Sequence, residues 1–206
     1  MSLKSKPKKH KFSGFSLAQA FQHLHLSKLT PWVIEAASVA PSDFFKQRLK
    51  KLQRFDLRAS EESKKLLIDA ILEEGIEGFS HLKIWKGANL ETETVGGYVD
   101  YLVAEDRDYL YAPFLCVMEA KKDDFEQGLA QCLVEMQACL WSNRQIGREM
   151  NVFGIVTNGE GWKFYRLVLT GEVGETDLYS IQNIEAILGT LRFVFSACEQ
   201  NLLQAV

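Results

Sequence analysis

The sequence predicts a mixed α/β fold, in which helices cover a sheet of antiparallel and parallel strands. Short apolar, β-branched and aromatic runs alternate with longer segments whose apolar residues recur every three or four positions. Two of the runs, 97–103 and 114–122, lie close together in the chain and favour an antiparallel pair. A helical segment follows them and leads to a further strand, as in a crossover connection.

We expect three regions along the 206 residues. Residues 1–12 form a basic, flexible tail, residues 13–58 a helical extension, and residues 59–206 an α/β core that makes one compact domain with the extension. Five lysines and no acid lie in the first eleven residues, which suits either a disordered end or an arm that grips phosphate. The rest of the chain contains 19 basic and 27 acidic residues, and this acidic balance argues against non-specific DNA binding by the whole surface.

Three helices are predicted in the extension. Residues 16–26 have helix-forming composition, with Leu17, Phe21 and Leu24 at helical spacing. Thr30 and Pro31 are typical of an N-cap followed by the first helical position, which predicts a short helix to residue 37. The third helix is expected to begin at residues 41–43 and to carry an apolar face as far as residue 55.

The core is predicted to begin with a helix from Ser60 to Gly75. Ser60 is a suitable N-cap, acids fill the first turn, and Gly75 is a suitable stop. A strand at 82–85 and a loop at 86–96 precede the two central strands. We then expect a helix at 123–142, strands at 151–157 and 162–168, an edge strand at 178–181 and a final helix at 184–203.

Cysteine and hydropathy patterns indicate a cytoplasmic protein. The four cysteines lack CxxC spacing, so we expect buried free thiols in a reducing compartment. The four histidines are scattered, which argues against a zinc site. No apolar run approaches the ~20 residues of a membrane span, so we expect no membrane partner.

Charged residues interrupt the two central strand runs. Asp100 lies inside the first run, while Glu119 and Lys121 lie at the end of the second. A buried carboxylate is costly unless it is paired or holds a metal. Two carboxylates from adjacent strands can hold Mg²⁺, and a lysine on the same face as Glu119 can lie beside a metal-bound water and a phosphate oxygen. A structural ion pair between Asp100 and Lys121, or a solvated strand end, is the simpler alternative.

Four sequence pieces resemble the PD-(D/E)XK nuclease superfamily, and in particular the restriction-endonuclease-like domains related to the N-terminal part of type I restriction subunits. They are SEESKKLLIDAILEE, GYVDYLVA, LCVMEAKKDDFEQGLAQCLVEM and NVFGIVTNGEGWKFYRL. The likeness extends from about Ser60 to Val168. It implies a restriction-endonuclease-like mixed sheet flanked by helices, and a nuclease that hydrolyses phosphodiester bonds in DNA with Mg²⁺ or Mn²⁺. A homodimer is a further expectation, because a double-strand cut needs two sites.

The resemblance also implies roles for individual residues. Asp100 and Glu119 match the metal-binding acids, and Lys121 matches the catalytic lysine. An acid on the first core helix would complete the metal or water site, and Glu62 is our choice, with Glu61 and Glu73 as rivals.

A glutamine on the helix after ExK also matches the resemblance, and it would approach the active site or the DNA. Gln131 is our choice for this residue, and Gln127, one turn earlier, is the rival.

Two other classes of function fit the same sequence. A nuclease-fold module that no longer cleaves would serve DNA or protein interaction, in control of a restriction system or mobile element. A cytoplasmic α/β protein unrelated to nucleic acids would place Asp100 and Glu119 far apart in the fold.

Overall fold

The computed structural model of the protein describes residues 9–121 and 123–204. Its helices are α1 (Leu17–His23), α2 (Asp43–Leu52), α3 (Glu61–Ile76), α4 (Phe125–Gln145) and α5 (Ile184–Leu203). Its strands are β1 (His10–Lys11), β2 (Thr30–Pro31), β3 (Leu82–Glu91), β4 (Val95–Glu105), β5 (Phe114–Ala120), β6 (Val152–Thr157), β7 (Gly161–Leu167), β8 (Val173–Glu175) and β9 (Tyr179–Ser180). Two short 3-10 helices cover Phe12–Gly14 and Ile181–Asn183.

All nine strands of the described residues belong to one mixed sheet flanked by helices, which confirms the predicted mixed α/β class. The strand order is β1-β4-β5-β6-β7-β8-β2, with β3 also paired to β4 and β9 to β7. β4 and β5 are antiparallel, as expected from their spacing, and β5 and β6 are parallel. A parallel pair needs a crossover, and α4 provides it between β5 and β6.

Two hydrophobic cores lie on opposite faces of the sheet. The α3/α5 core joins these two helices to one sheet face, through side chains such as Ile71, Leu191 and Met118. The α4 core joins α1 and α4 to the other face, through side chains such as Leu133 and Val117. The strands between the two cores are buried on both faces, which explains why their sequences are continuous apolar runs.

The N-terminal region is more closely joined to the sheet than the sequence suggested. Residues 1–8 of the expected tail lie outside the described residues. Residues 10–12 do not form a tail, because His10 and Lys11 pair in parallel with β4 and Phe12 is buried in the α4 core. The basic residues of the sequence 8–11, three lysines and a histidine, concealed this short strand and the buried Phe12 that follows it.

The helix predicted from Thr30 is wrong, since Thr30–Pro31 forms an edge strand instead. The Thr30 hydroxyl donates to the Val173 carbonyl oxygen at 3.1 Å, and β2 runs parallel to β8. A proline is tolerated there because an edge strand leaves one row of backbone groups unpaired. Trp32 then packs closely over Gly174, where an added Cβ would lie 3.0 Å from the Trp32 Cβ.

The predicted loop at 86–96 is also wrong, because β3 continues to Glu91 and a short turn joins it to β4. The pairing runs without a register shift from Leu82 with Glu105 to Glu91 with Gly96. Glycines and polar residues concealed the strand, since only Ala88 and Leu90 in its second half are buried.

The C-terminal end of α3 differs only slightly from the predicted stop at Gly75. Gly75 lies inside the helix, and an added Cβ there would lie 3.2 Å from Leu191 Cβ, so this glycine serves the contact with α5. The chain leaves the helical conformation just beyond, and Gly78 has φ 91°.

Two further predictions concern the cysteines and the membrane. All four cysteines are buried and free, as expected. Within the described ranges, the longest helices remain too short or too polar to cross a membrane.

Candidate active site

The candidate site forms where β4 and β5 separate. Tyr101 and Met118 are the last backbone pair between the two strands. Beyond them, the Ala120 N–H donates to Asp100 Oδ2 at 2.9 Å, and Glu119 Oε1 lies 3.5 Å from the Asp100 nitrogen. Carboxylate oxygens thus replace the carbonyl oxygens of a continuing ladder, so the predicted pair of acids does meet.

A change in strand alternation places Asp100 at this position. Tyr101 and Val103 point into the α3/α5 core, whereas Val99 points into the α4 core. Residues two apart on a regular strand share a face, so the alternation of β4 changes at Asp100. The residue opposite is Gly87, whose φ of 63° is a left-handed value that favours glycine. The Asp100 side chain is therefore only partly buried, with 20% of it exposed.

Glu119 is fully buried. Burial raises its pKa to about 7, and Asp100 acts in the same direction, while Lys121 opposes both. The ammonium of Lys121 lies 2.9 Å from Glu119 Oε2, although the angles are not those of a hydrogen bond. Among the described residues, this Oε2 receives no hydrogen bond.

Lys121 is held at both its backbone and its side chain. Its N–H donates to the Thr157 carbonyl oxygen at 2.9 Å, which continues the β5–β6 pairing by one residue. Its ammonium contacts Glu119 and donates to Gln131 Oε1 at 3.1 Å. Burial acts to lower the pKa of Lys121, but Glu119 and Asp100 outweigh it and raise the pKa above its ordinary value. The lysine is therefore a cation fixed beside the two acids.

A second lysine, which sequence reasoning missed, reaches the site from α3. Lys65 Nζ lies 3.0 Å from Asp100 Oδ1, 2.9 Å from Glu62 Oε1 and 3.2 Å from Glu61 Oε1. Burial acts to lower its pKa, but the hydrogen bonds to Glu62 and Asp100 raise the pKa above its ordinary value. Its signal was present in the sequence, because Lys65 lies one turn after Glu61 and Glu62 on the helix that borders the site.

The structure places the three helix acids differently. Glu62 has an 80% exposed side chain and reaches Asp100 only through Lys65, whose hydrogen bond lowers the pKa of Glu62. Glu61 makes the same indirect connection. Glu73 pairs with Arg48 of α2 at 3.0 Å.

The two candidate glutamines of α4 also separate. Gln131 is 6% exposed and contacts Lys121, as the resemblance implied for a glutamine near the site. Gln127 points elsewhere, since its amide donates to the carbonyl oxygens of Ser13 and Phe15.

A third acid, Glu135, lies behind Gln131 and was also missed. It is fully buried on α4, and its Oε1 accepts from Gln131 Nε2 at 3.1 Å. Burial and the neighbouring Glu119 raise the pKa of Glu135 well above its ordinary value. Within the described residues, the second oxygen of Glu135, Oε2, receives no hydrogen bond. The signal in the sequence was an acid four residues after Gln131, with apolar residues on both sides of it in the chain.

The donor set can be tested against a divalent cation. In the described ranges, no cluster of three or more histidine, cysteine or acidic side chains is arranged to hold a metal ion. Mg²⁺ needs only one or two carboxylates, because it retains several waters. Asp100 and Glu119 fit that requirement in number, and Glu119 Oε2 receives no hydrogen bond within the described part of the chain. The Lys121 ammonium lies 2.9 Å from this oxygen, so an ion bound to Glu119 Oε2 would have to displace it. An ion bound to Asp100 Oδ1 would have to displace the Lys65 ammonium.

Comparison of the chain with known protein families, with curated proteins and with solved structures found no significant match in any of the three. The functional argument therefore rests on the geometry of the site itself.

Proposed function

We propose that the protein is a Mg²⁺-dependent nuclease that hydrolyses phosphodiester bonds in DNA. The observation that carries this proposal is the convergence of Asp100, Glu119 and Lys121 at the separating ends of β4 and β5. A restriction-endonuclease-like fold is part of the proposal. The order of α3, β4, β5, the crossover helix α4 and β6 supports it.

Each side chain of the site has a chemical task in this proposal. Asp100 and Glu119 would hold the cation, which would lower the pKa of the attacking water and neutralise charge on the phosphate. Lys121 donates a hydrogen bond from its ammonium to the water or to a phosphate oxygen, which orients the attack. A cation bound at Asp100 Oδ1 would take the place of the Lys65 ammonium, which would then be free to pair with a phosphate oxygen.

A combined metal-binding and cleavage experiment tests the proposal. Calorimetric titration with Mg²⁺ and Mn²⁺ is compared between the wild-type protein and the Glu119→Ala variant, together with cleavage of single-stranded and double-stranded DNA and of RNA. We expect metal binding by the wild type alone and cleavage of at least one DNA form. Absence of metal binding together with absence of cleavage for every DNA form would sink the proposal.

One observation favours a second candidate, a nuclease-fold module that binds DNA or protein without cleaving. Each acid of the site is already neutralised by an ammonium, Asp100 by Lys65 and Glu119 by Lys121. Removing one member of such a pair leaves a poorly compensated charge, so the pairs can serve stability alone. DNA binding by the wild type that neither requires a divalent cation nor leads to cleavage would favour this candidate, with a role in restriction or mobile-element control.

A further inference from the structure

One face of α4 lies against Lys121. Gly128, Gln131 and Glu135 follow one another at helical spacing on that face. At Gly128, an added Cβ would lie 3.0 Å from Lys121 Cγ and 2.7 Å from Val156 Cγ1, so the stem of the lysine passes directly over the helix backbone. The next residue along this face, Gln131, then receives the ammonium group.

The orientation of the Gln131 carboxamide decides whether it can accept this hydrogen bond. Its oxygen accepts from Lys121 Nζ at 3.1 Å, and its nitrogen donates to Glu135 Oε1 at 3.1 Å. A carboxamide has one accepting and one donating end of nearly equal shape. A flipped Gln131 would direct its NH₂ group at the ammonium, so the orientation needs a fixed acceptor on the other side.

Glu135 is that acceptor, and its position is costly enough to need a reason. Its side chain is fully buried within the apolar α4 core. A buried carboxyl group generally destabilises a fold unless its hydrogen bonds are satisfied. The bond from Gln131 satisfies Oε1, whereas Oε2 receives no hydrogen bond within the described residues, and the neighbouring Glu119 carboxyl raises the pKa of the group further.

We propose that Glu135 is a positioning residue for Lys121, which acts by fixing the Gln131 carboxamide with its oxygen toward the ammonium. The order of the contacts is Glu135, Gln131, Lys121 and Glu119. The importance of this order for catalysis rests on the proposed nuclease function. The contacts themselves do not depend on that function, and they can be tested without any cleavage assay.

The test compares substitutions that preserve or remove the acceptor. Glu135→Gln keeps an oxygen that can accept from Gln131 Nε2, and its own amide can donate to Glu119. Glu135→Leu has a similar volume and no acceptor. Gln131→Ala removes the carboxamide that links Glu135 to Lys121. Gln127→Ala is the matched control on the same helix. If Glu135→Leu does not fold, Gln131→Ala and Glu135→Gln still carry the comparison.

Two measurements report on the contacts directly. Hydrogen exchange of the Gln131 side-chain amide, followed by NMR, is expected to be slow in the wild type and in Glu135→Gln but fast in Glu135→Leu. The acetylation rate of Lys121, measured by mass spectrometry with Lys163 as internal reference, is expected to rise in Glu135→Leu and Gln131→Ala. It should stay at the wild-type rate in Glu135→Gln and in Gln127→Ala.

Cleavage provides the third measurement. Substitutions behind a ligating group typically cost about 10- to 100-fold in activity, which is the loss expected for Glu135→Leu and for Gln131→Ala. The double variant Glu135→Leu/Gln131→Ala should lose no more activity than Gln131→Ala alone, because both substitutions interrupt the same series of contacts from Glu135 to Lys121. Rescue by Glu135→Gln distinguishes this role from simple packing.

The outcomes separate the two proposals. Unchanged amide exchange and unchanged Lys121 acetylation in Glu135→Leu overturn the positioning role, as does an additive loss in the double variant. If the wild type cleaves no nucleic acid but Glu135→Leu alters amide exchange and acetylation as expected, the positioning role stands and the nuclease proposal fails.

Discussion

β4 and β5 differ sharply between their two halves. From Tyr101 with Met118 upward, backbone hydrogen bonds join the strands, and side chains such as Leu102 and Val117 are fully buried in the α4 core. Below that pair, the strands separate and Asp100 and Glu119 replace the backbone pairing. The same two strands therefore build a scaffold at one end and a polar site at the other.

This difference shows how acids can be placed in a buried sheet. Separation of the strands leaves backbone N–H groups without carbonyl partners, and a buried unpaired N–H costs free energy. The Asp100 carboxylate satisfies the N–H of Ala120, and Lys65 balances its charge. The buried N–H group, the carboxylate and the ammonium would each be unfavourable alone, but together they satisfy one another.

The largest effect is expected from Lys121→Ala, in the separated half. It removes the ammonium beside Glu119, so we expect DNA cleavage to fall by about 10²- to 10³-fold, as for the loss of one hydrogen-bond donor to charge that develops in the transition state. DNA binding measured by fluorescence anisotropy should persist. Lys163→Ala is the control, since Lys163 pairs with Glu175 on β8, outside the site. Equal cleavage by Lys121→Ala and wild type would remove Lys121 from the mechanism.

Substitutions should reduce the unfolding free energy more in the paired half than in the separated half, which is the opposite of their effect on cleavage. Leu102→Ala leaves a cavity in the paired half and should cost about 2–5 kcal/mol of unfolding free energy. Asp100→Ala should cost less, about 1–3 kcal/mol, because it leaves the Ala120 N–H without its acceptor. Urea denaturation measures both. Metal titration should find binding by Leu102→Ala but not by Asp100→Ala. Metal binding by Asp100→Ala would contradict the assignment of Asp100 as a metal ligand.

The separated half should also respond to pH. Because burial raises the pKa of Glu119 from its ordinary 4.5 to about 7, the native state holds more protons than the unfolded state between these values. The unfolding free energy therefore falls as pH rises through this window, by at most about 1.4 kcal/mol per pH unit for this one group.

The Glu119→Gln variant isolates this contribution, because it removes the titrating group. Urea midpoints measured at about pH 5 and about pH 7 should differ less in the variant than in the wild type. An equal difference in the two proteins would show that Glu119 is not the group responsible.

The smallest effect is expected from Glu62→Ala. Its side chain is 80% exposed, and Lys65 keeps Glu61 and Asp100 as partners. Exposed ion pairs contribute little to stability, so the melting temperature should stay at the wild-type value. A large loss of cleavage in this variant would show that Glu62 enters the site when metal and DNA are bound, as the sequence resemblance implied.

Sequence patterns predicted the long elements because each one has a periodic signal of its own. The Ser60 N-cap of α3 is confirmed, since its hydroxyl accepts from the Ser63 N–H at 3.1 Å. The final helix begins and ends where its apolar period does, at Ile184 and Leu203. The antiparallel pairing of β4 and β5 followed from their short separation, which is a local property of the chain.

The sequence could not predict contacts that depend on distant partners. β1 and β2 have two residues each, too few for a period, and they form only because β4 and β8 offer free edges. Glu135 and Lys65 appear as ordinary helix charges until the helices are placed on the sheet. Sequence reasoning therefore named the strand residues Asp100, Glu119 and Lys121, which the structure brings together, and Gln131 on α4, but it missed the helix residues Lys65 and Glu135.

The pairing of β2 with β8 has a consequence for how the protein is made. Thr30 pairs with Gly174, so a ribosome must synthesise the chain at least as far as residue 174 before this edge of the sheet can close. Contacts between such distant residues slow folding, because a large loop must be ordered first. The Thr30–Pro31 strand is thus expected to reach its final position after the strands that pair with close neighbours in the sequence, such as β3 and β4.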